Sequence, residues 1–168
     1  MKWTLLVVAF SGLLSAQDQP SCPMHGQDAE SAQHYADVEK RGDQAMGFDH
    51  EKTFHHFKLY ADGGAIEVTA NDPKDSSNIA MIRSHLRHIR TMFSDGNFSV
   101  PMLVHGQVPP GSAEMKQHHA DISYEVEEIA AGGRVRIKSS NPEALKAVHD
   151  FLRFQIRDHR TGDSEASQ

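Results

Sequence analysis

The chain has 168 residues, which is enough for one small domain with its own core. The formal net charge is −6 and no basic block is present, so neither nucleic acid nor an anionic membrane surface is an expected partner. The single cysteine excludes an internal disulfide. Twelve histidines are several times the ordinary number, and they indicate metal binding or a response to pH. The alternative is an acidic surface that tolerates neutral polar residues.

Residues 1–16 have the features of a secretory signal peptide. Met1-Lys2 provides a positive start, residues 3–14 form an apolar run too short to span a bilayer, and Ala16 offers a small residue before the cut. We therefore expect an exported protein, either periplasmic or secreted. No later apolar run is long enough for stable membrane insertion.

Residues 17–45 show little periodicity and are predicted to form a flexible arm, with a short helical piece over 29–40. Cys22, Met24 and His25 place a thiolate, a thioether and an imidazole within four residues of this arm. The stretch CPMHG resembles the Cys-Pro-Met-His segment of heavy-metal-binding domains in bacterial copper and silver export systems. The alternative is a disordered tether with one incidental thiol.

A strand, a turn and a second strand follow in FHHFKLYADGGAIEVTAN, which begins at Phe54. The Asp62-Gly63-Gly64 turn supplies the residues that a tight hairpin needs. A helix is then predicted over 75–93, because an Asn-Asp-Pro start precedes it and Asp-Gly-Asn follows it.

The same order of signals recurs in the second half, in the hairpin pattern ISYEVEEIAAGGRVRIKSS and a helix that starts at Asn141-Pro142 and ends near Arg160. Two ββα units predict an α+β domain over residues 46–163, in which a four-stranded antiparallel sheet carries both helices on one face. Residues 98–115 form a Pro- and Gly-rich link that we expect to be functional or mobile. Residues 164–168 are predicted to be a disordered tail.

Two methionines and two histidines share one line of the first predicted helix: Met81, His85, His88 and Met92. Thioether and imidazole groups suit copper, and histidines one turn apart can reach the same ion. The alternative is that the methionines extend the edge of the core and the histidines line its polar margin.

Other donors can complete such a site. His55 lies on the strand face that the helices should cover, and the long link supplies Met102 and His105. We therefore expect His55, His85 and His88 to meet His105 or Met102 around one ion. The alternative for His55 is a buried neutral imidazole that is bonded to a carbonyl.

Several longer stretches also resemble a known family: RGDQAMGFDHEKTFHHF, DGGAIEV, NDP, GNF..PM, PPG and VHDFLRFQIRDHRTGD. This is a family of small exported bacterial proteins with no assigned activity, and the resemblance covers residues 40–163. Some members carry the label aspartate carbamoyltransferase. The chain has about half the length of such an enzyme and lacks its Ser-Thr-Arg-Thr phosphate loop, so the label is not supported.

The leading interpretation is an exported protein that buffers or passes on copper and has no catalytic residue. A second hypothesis is a domain without metal that pairs with a copy of itself or with another protein through the open face of the sheet. A third is an envelope enzyme that uses His50, Glu51 and His105 as acids or bases. Haem is a minor hypothesis, because the predicted core offers no obvious slot for a porphyrin.

Overall fold

Helices pack on one face of a four-stranded sheet. The computed structural model describes the backbone from Met24 to Gln168 and the side chains from Ala29 onward. In chain order the elements are α1 Met24–Met46, β1 Thr53–Tyr60, β2 Gly63–Ala70, α2 Ser76–Ser94, α3 Ser99–His105, α4 Ser112–Gln117, β3 Ile122–Ile129, β4 Gly132–Ser139 and α5 Pro142–Asp158. Single 3-10 turns precede β1 and β3.

The sheet has the strand order β1-β2-β4-β3, and every neighbouring pair is antiparallel. The two hairpins meet where β2 pairs with β4, with Ile66 opposite Val135. Helix α2 packs mainly against β4 and β3, whereas α5 packs mainly against β1 and β2, so each long helix covers strands of the other unit. The predicted α+β fold with two ββα units is confirmed.

Side-chain caps fix the starts of both long helices. The Asp75 carboxylate accepts a hydrogen bond from the Asn78 amide at 3.0 Å. The Asn141 side chain accepts from the amides of Glu143 and Ala144, and Pro142 occupies the first turn. These bonds satisfy backbone donors that have no partner inside a helix, which explains why the helices begin where the sequence predicts.

The core lies between the sheet and helices α2 and α5. Alternate residues of the strands face inward, and one apolar stripe of each helix meets them. Burying each large apolar side chain contributes roughly 1.5–3 kcal/mol. The largest of its fully buried side chains are Leu59, Ile82, Leu86, Phe93, Met115, Ile137, Phe151 and Leu152.

The outer face of the sheet carries charges that pair across strands. Glu67 bonds Lys58 at 2.6 Å and Arg134 at 3.3 Å, and Arg134 continues to Glu127 at 2.6 Å. Glu67 is only 7 % exposed, because its two cations and their aliphatic stems cover it. This pairing leaves little unpaired charge with which the face could recognise a partner.

The N-terminal segment differs from the predicted flexible arm. Instead of a short helical piece, the structure has the 23-residue helix α1. Arg41 donates from Nε to the Val104 carbonyl at 2.7 Å, and Arg160 donates to the Ser31 carbonyl at 3.0 Å. These contacts attach α1 to α3 and to the end of α5, so the packed domain begins before residue 46.

The link and the tail also differ from the prediction. The link contains α3 and α4, and the tail is bonded to the edge strand β1. Asp163 accepts from the Phe57 amide at 2.9 Å, and the Gln168 amide donates to the Leu59 carbonyl at 3.0 Å. Residues 164–168 are therefore not free, and the tail covers part of an edge that would otherwise present unpaired backbone groups.

The remaining N-terminal predictions lie at or beyond the limit of the description. The predicted signal peptide, residues 1–16, and Cys22 are outside the described residues. Met24 and His25 begin α1 and are described by their backbone alone. Among the described helices, none combines the length and the apolar character needed to cross a bilayer.

Candidate functional site

Four histidines from four parts of the chain line one apolar cavity of about 80 Å³. They are His55 on β1, His85 on α2, His105 at the end of α3 and His159 just after α5. We call this space the histidine cavity. Its remaining wall is mainly apolar and includes Phe57, Val68, Ile89, Phe93, Val104 and Phe151.

His55 meets a methionine that lies outside the two ββα units. It is on the inward face of β1, and its Nε2 lies 3.2 Å from Sδ of Met46, the last residue of α1. Its ring is nearly parallel to that of His159, with centroids 6.0 Å apart. A thioether and an imidazole nitrogen are thereby held side by side at the cavity wall.

His85 approaches the cavity from α2. Its ring meets the Phe48 ring edge-on, with the centroids 5.6 Å apart. Phe48 also stacks on His55, with a centroid distance of 6.5 Å. Among residues 29–168, no hydrogen bond reaches the ring nitrogens of His85 or His159. Both imidazoles therefore keep their nitrogens available for a ligand.

Burial keeps three of these histidines neutral. It lowers the pKa of His55 to about 4, with a smaller contribution from the nearby His85. Burial likewise lowers the pKa of His85 to about 4 and that of His159 to about 3. At neutral pH each ring thus has a lone pair that can bind a metal ion or accept a hydrogen bond.

His105 differs, because both of its ring nitrogens have partners. Nδ1 lies 2.5 Å from the Asp158 carboxylate, and Nε2 lies 2.9 Å from the Gln155 side-chain oxygen. Asp158 also bonds His34 of α1 at 2.9 Å. Although burial acts in the opposite direction, the bonds from His105 and His34 lower the pKa of Asp158. His105 therefore supports the cavity wall and offers no free nitrogen.

A wider cleft of about 260 Å³ adjoins the histidine cavity between α1 and β1. The two spaces share Gly42, Met46, His55 and His159 as lining residues. We call it the α1 cleft. Because Met46 and His55 border both spaces, the cleft and the cavity adjoin at these two side chains.

A separate cluster lies at the rim of the α1 cleft. Asp43, Asp49 and His50 form the only group of three or more histidine, cysteine or acidic donors within 4.8 Å of one another in the described part of the chain. Asp43 already accepts from the His50 ring and backbone, and Asp49 caps a 3-10 turn. Although partial burial lowers the pKa of His50, the bond to Asp43 raises it overall. These carboxylates therefore have structural roles, and the cavity histidines do not form a preassembled group of three.

The predicted Met/His line of α2 divides between two environments. His85 is half-buried at the cavity, and Met92 packs against the core. His88 is exposed, as is Met81 at 42 %. The four residues share one face of α2 as predicted, but neighbouring elements cover only His85 and Met92.

The link contributes one of its two predicted donors to the cavity. His105 faces inward from α3, whereas Met102 on the same helix is 41 % exposed. The structure thus brings His55, His85 and His105 together, and it leaves Met102 and His88 at the surface.

Sequence reasoning missed Met46 and His159. Val38, Gly42 and Met46 recur every four residues, which is the spacing of one helix face, but the polar residues around them hid the pattern. His159 comes three residues after the inward Ile156 and so continues the inner stripe of α5. Both signals were present in the sequence.

Comparisons with family models, with curated proteins and with solved structures find no match to this chain. The fold alone assigns no activity, because one architecture supports many functions. The function must therefore be argued from the chemistry of the histidine cavity.

Proposed function

We propose that this is an exported metal-binding protein that holds copper as Cu(I) between Met46, His55 and His85, and that buffers the ion or passes it on. The observation that carries the proposal is the 3.2 Å approach of Met46 Sδ to His55 Nε2 at the wall of an apolar cavity. His85 lines the same cavity and supplies the third donor.

The donor chemistry suits a soft ion. Thioether sulfur favours Cu(I), and imidazole binds copper in both oxidation states. Metal binding requires deprotonated ligands, and burial already keeps His55 and His85 neutral. No proton must therefore be displaced from these rings when the ion enters at neutral pH.

The surroundings favour a singly charged ion over zinc. Structural zinc sites use four converging ligands, usually cysteine and histidine. In the described part of the chain no such group surrounds the histidine cavity. Because an apolar wall penalises charge, an ion of charge +1 with few ligands is the better fit.

The α1 cleft offers a route for the ion. His50 and His56 line the cleft, and Met46 and His55 separate it from the cavity. In this proposal Cys22, Met24 and His25 form a loading site around the start of α1. The ion would pass from the sulfur and imidazole donors of the loading site to the same kinds of donor in the histidine cavity.

The test is an anaerobic Cu(I) titration against a chromophoric chelator. We expect tight binding by the native chain and a loss of at least 100-fold in affinity for the Met46→Leu/His55→Phe variant. The matched control is Met81→Leu/His88→Phe, which changes the same residue types at exposed positions of α2. It should stay within about threefold of the native affinity.

The reverse pattern would contradict the cavity assignment. If Met81→Leu/His88→Phe loses the ion and Met46→Leu/His55→Phe keeps it, the exposed side of α2 is the site. A Cys22→Ser/His25→Ala variant separates the loading site, because it should lower the number of ions bound per chain and leave the cavity affinity unchanged.

A further inference from the structure

The two edges of the sheet differ in how they are covered. At the β1 edge, Asp163 and Gln168 of the tail bond the backbone of Phe57 and Leu59. At the β3 edge, no backbone group of the described chain outside β4 bonds residues 124–128. Unpaired N–H and C=O groups on an edge strand can bond a further strand. The β3 edge is therefore the side on which a partner strand can be added.

The register of the second hairpin shows which backbone groups point outward. Ile129 pairs with Gly132 across a two-residue turn, and the pair that closes such a turn exchanges both of its hydrogen bonds. Bonded and non-bonded pairs alternate along antiparallel strands, so Tyr124 and Val126 direct their N–H and C=O groups away from β4. The Tyr124 carbonyl agrees with this, because it accepts from Arg90 Nε at 3.1 Å. Val126 lies in the middle of the open stretch.

Three arginines of α2, which we call the arginine row, run beside this edge: Arg83, Arg87 and Arg90. Their spacing of four and three residues places them on one face of the helix. Glu128 bonds Arg83 at 2.9 Å and lies 3.8 Å from Arg87, whereas Arg90 bonds the neutral Tyr124 carbonyl. In the described part of the chain, the row therefore has one carboxylate for three positive charges, although the whole chain has a net charge of −6.

An open groove of about 470 Å³ lies between the arginine row and β3. It is lined by Arg87, Arg90, Thr91, Tyr124, Glu125 and Val126. Glu125 is engaged by Lys138, at 3.2 Å. Directly opposite side chains of antiparallel strands lie on the same face of a sheet, so every second side chain of an added strand would enter this groove. Carboxylates suit these positions, because a guanidinium group can bond both carboxylate oxygens at once.

We propose that the β3 edge binds an extended acidic segment of a partner protein, which adds to the sheet as an antiparallel strand. Main-chain hydrogen bonds to Val126 hold the segment, and the carboxylates of every second residue meet Arg87 and Arg90. A second copy of this chain fits less well, because two-fold pairing of β3 would bring two arginine rows together. No metal ion takes part, so this contact is separate from copper binding.

The test titrates the full chain with fluorescent peptides in the presence of a metal chelator and follows fluorescence anisotropy. One peptide alternates glutamate with threonine, a second has the same composition with its glutamates in adjacent pairs, and a third alternates lysine with threonine. The alternating glutamate peptide should bind saturably and at least tenfold more tightly than the others, because it alone places every carboxylate on one face of a strand.

Backbone methylation separates strand addition from simple charge attraction. In antiparallel pairing, the glutamates whose side chains share the face of Val126 are also the residues that bond its backbone. Methylating the glutamate amides of the alternating peptide should therefore abolish binding, whereas methylating the threonine amides should leave the affinity within about threefold. Any other pattern overturns the antiparallel strand.

Arg87→Glu tests the charge on the protein side. Arg87 is exposed, and reversing its charge should lower the affinity for the alternating glutamate peptide at least tenfold. The control is Arg157→Glu on α5, because Arg157 is also exposed and lies at a similar distance, 3.9 Å, from its carboxylate Glu165. This variant should leave the affinity unchanged.

Saturable binding of none of the peptides, or equal binding of all three, overturns the proposal. A concentration-dependent dimer in light scattering that excludes the peptide would assign the edge to a second copy of the chain and would also overturn it. Because the chelator removes metal, failure here leaves the copper proposal intact, and failure of the copper titration leaves this one intact.

Discussion

The two ββα units share a backbone plan but differ at the ends of their helices. Counted from the N-cap of each helix, Ile89 and Phe93 of α2 correspond to Gln155 and His159 at the end of α5. All four residues line the histidine cavity. The first unit fills these positions with apolar side chains, whereas the second places there an amide that bonds His105 and a buried imidazole.

The strands show a similar contrast. Counted from the first residue of each strand, His55 of β1 corresponds to Tyr124 of β3. Tyr124 is buried, its hydroxyl has no partner in the described chain, and burial raises its pKa. His55 instead meets Met46 and the cavity. The asymmetry arises because Met46, at the end of α1, reaches His55 of the first strand, while α1 itself packs mainly against α3.

Substitutions at the paired helix positions should differ most in their effect on the free energy of unfolding. Phe93→Ala should lower the free energy of unfolding by about 4 kcal/mol, because a fully buried ring leaves a void. His159→Ala should cost only about 1 kcal/mol, because its imidazole is buried and has no hydrogen-bond partner among residues 29–168. Urea denaturation at pH 7.5 measures both losses, and equal losses would refute the contrast.

Acid should destabilise the protein through the cavity histidines. In the unfolded chain they titrate near 6.5, whereas burial lowers the folded pKa of His55 and His85 to about 4 and that of His159 to about 3. Between these values the unfolded state binds more protons, so stability rises with pH and falls as pH drops below 6.5. We expect each of these histidines to contribute a loss of up to about 3 kcal/mol between pH 6.5 and pH 4.

Urea midpoints across this range, measured without metal, provide the check. His55→Phe should flatten part of the slope, whereas a change at its counterpart, Tyr124→Phe, should leave the slope unchanged. A native profile that is flat from pH 6.5 to pH 4 would show that the imidazoles are hydrated and not buried.

Two glutamates on the outer face of the sheet should differ by a smaller amount in their contribution to the free energy of unfolding. Glu67→Gln should cost about 2 kcal/mol, because it removes a covered carboxylate between Lys58 and Arg134. Glu125→Gln should cost less than about 0.5 kcal/mol, because Glu125 bonds Lys138 at an exposed site. Chemical denaturation at low and high salt measures both, and an equal or larger loss for Glu125→Gln would contradict the burial argument.

The smallest effect is a gain. Tyr124→Phe should raise the free energy of unfolding by about 1 kcal/mol, because it removes a buried hydroxyl that no other described residue bonds. Thermal unfolding measures this change. A clear loss of stability would mean that the hydroxyl is hydrogen-bonded in the folded protein, and the Tyr124 interpretation would be abandoned.

Local signals made the ββα units predictable. Gly63 adopts a φ of +147°, and a Cβ there would lie 2.0 Å from the Ile137 carbonyl oxygen, so only glycine suits this turn. The Asn141 cap likewise depends on residues within three positions of it. Features of this kind depend on the identity of a few consecutive residues, so they can be predicted from the sequence.

The site depends on contacts between distant segments, and for this reason much of it was not predictable. Helix α1 has only a weak apolar face, and it is held by bonds such as Arg41 to Val104 and His34 to Asp158. Met46 reaches His55 only because α1 is packed against the rest of the domain. His55 and His85 were predicted as neighbours from the faces they occupy, whereas Met46 and His159 required the packing of α1 and of the end of α5.

X-ray absorption at the copper edge tests directly whether Met46 and imidazole groups bind the ion. The measurement uses the Cu(I)-loaded Cys22→Ser/Met24→Leu/His25→Ala protein, which lacks the loading site and in which any sulfur ligand must be a thioether. We expect one sulfur together with imidazole nitrogens around copper, and we expect the sulfur signal to disappear in a further Met46→Leu variant. A shell with nitrogen alone, or a sulfur that survives Met46→Leu, would contradict a copper site built on Met46 and His55.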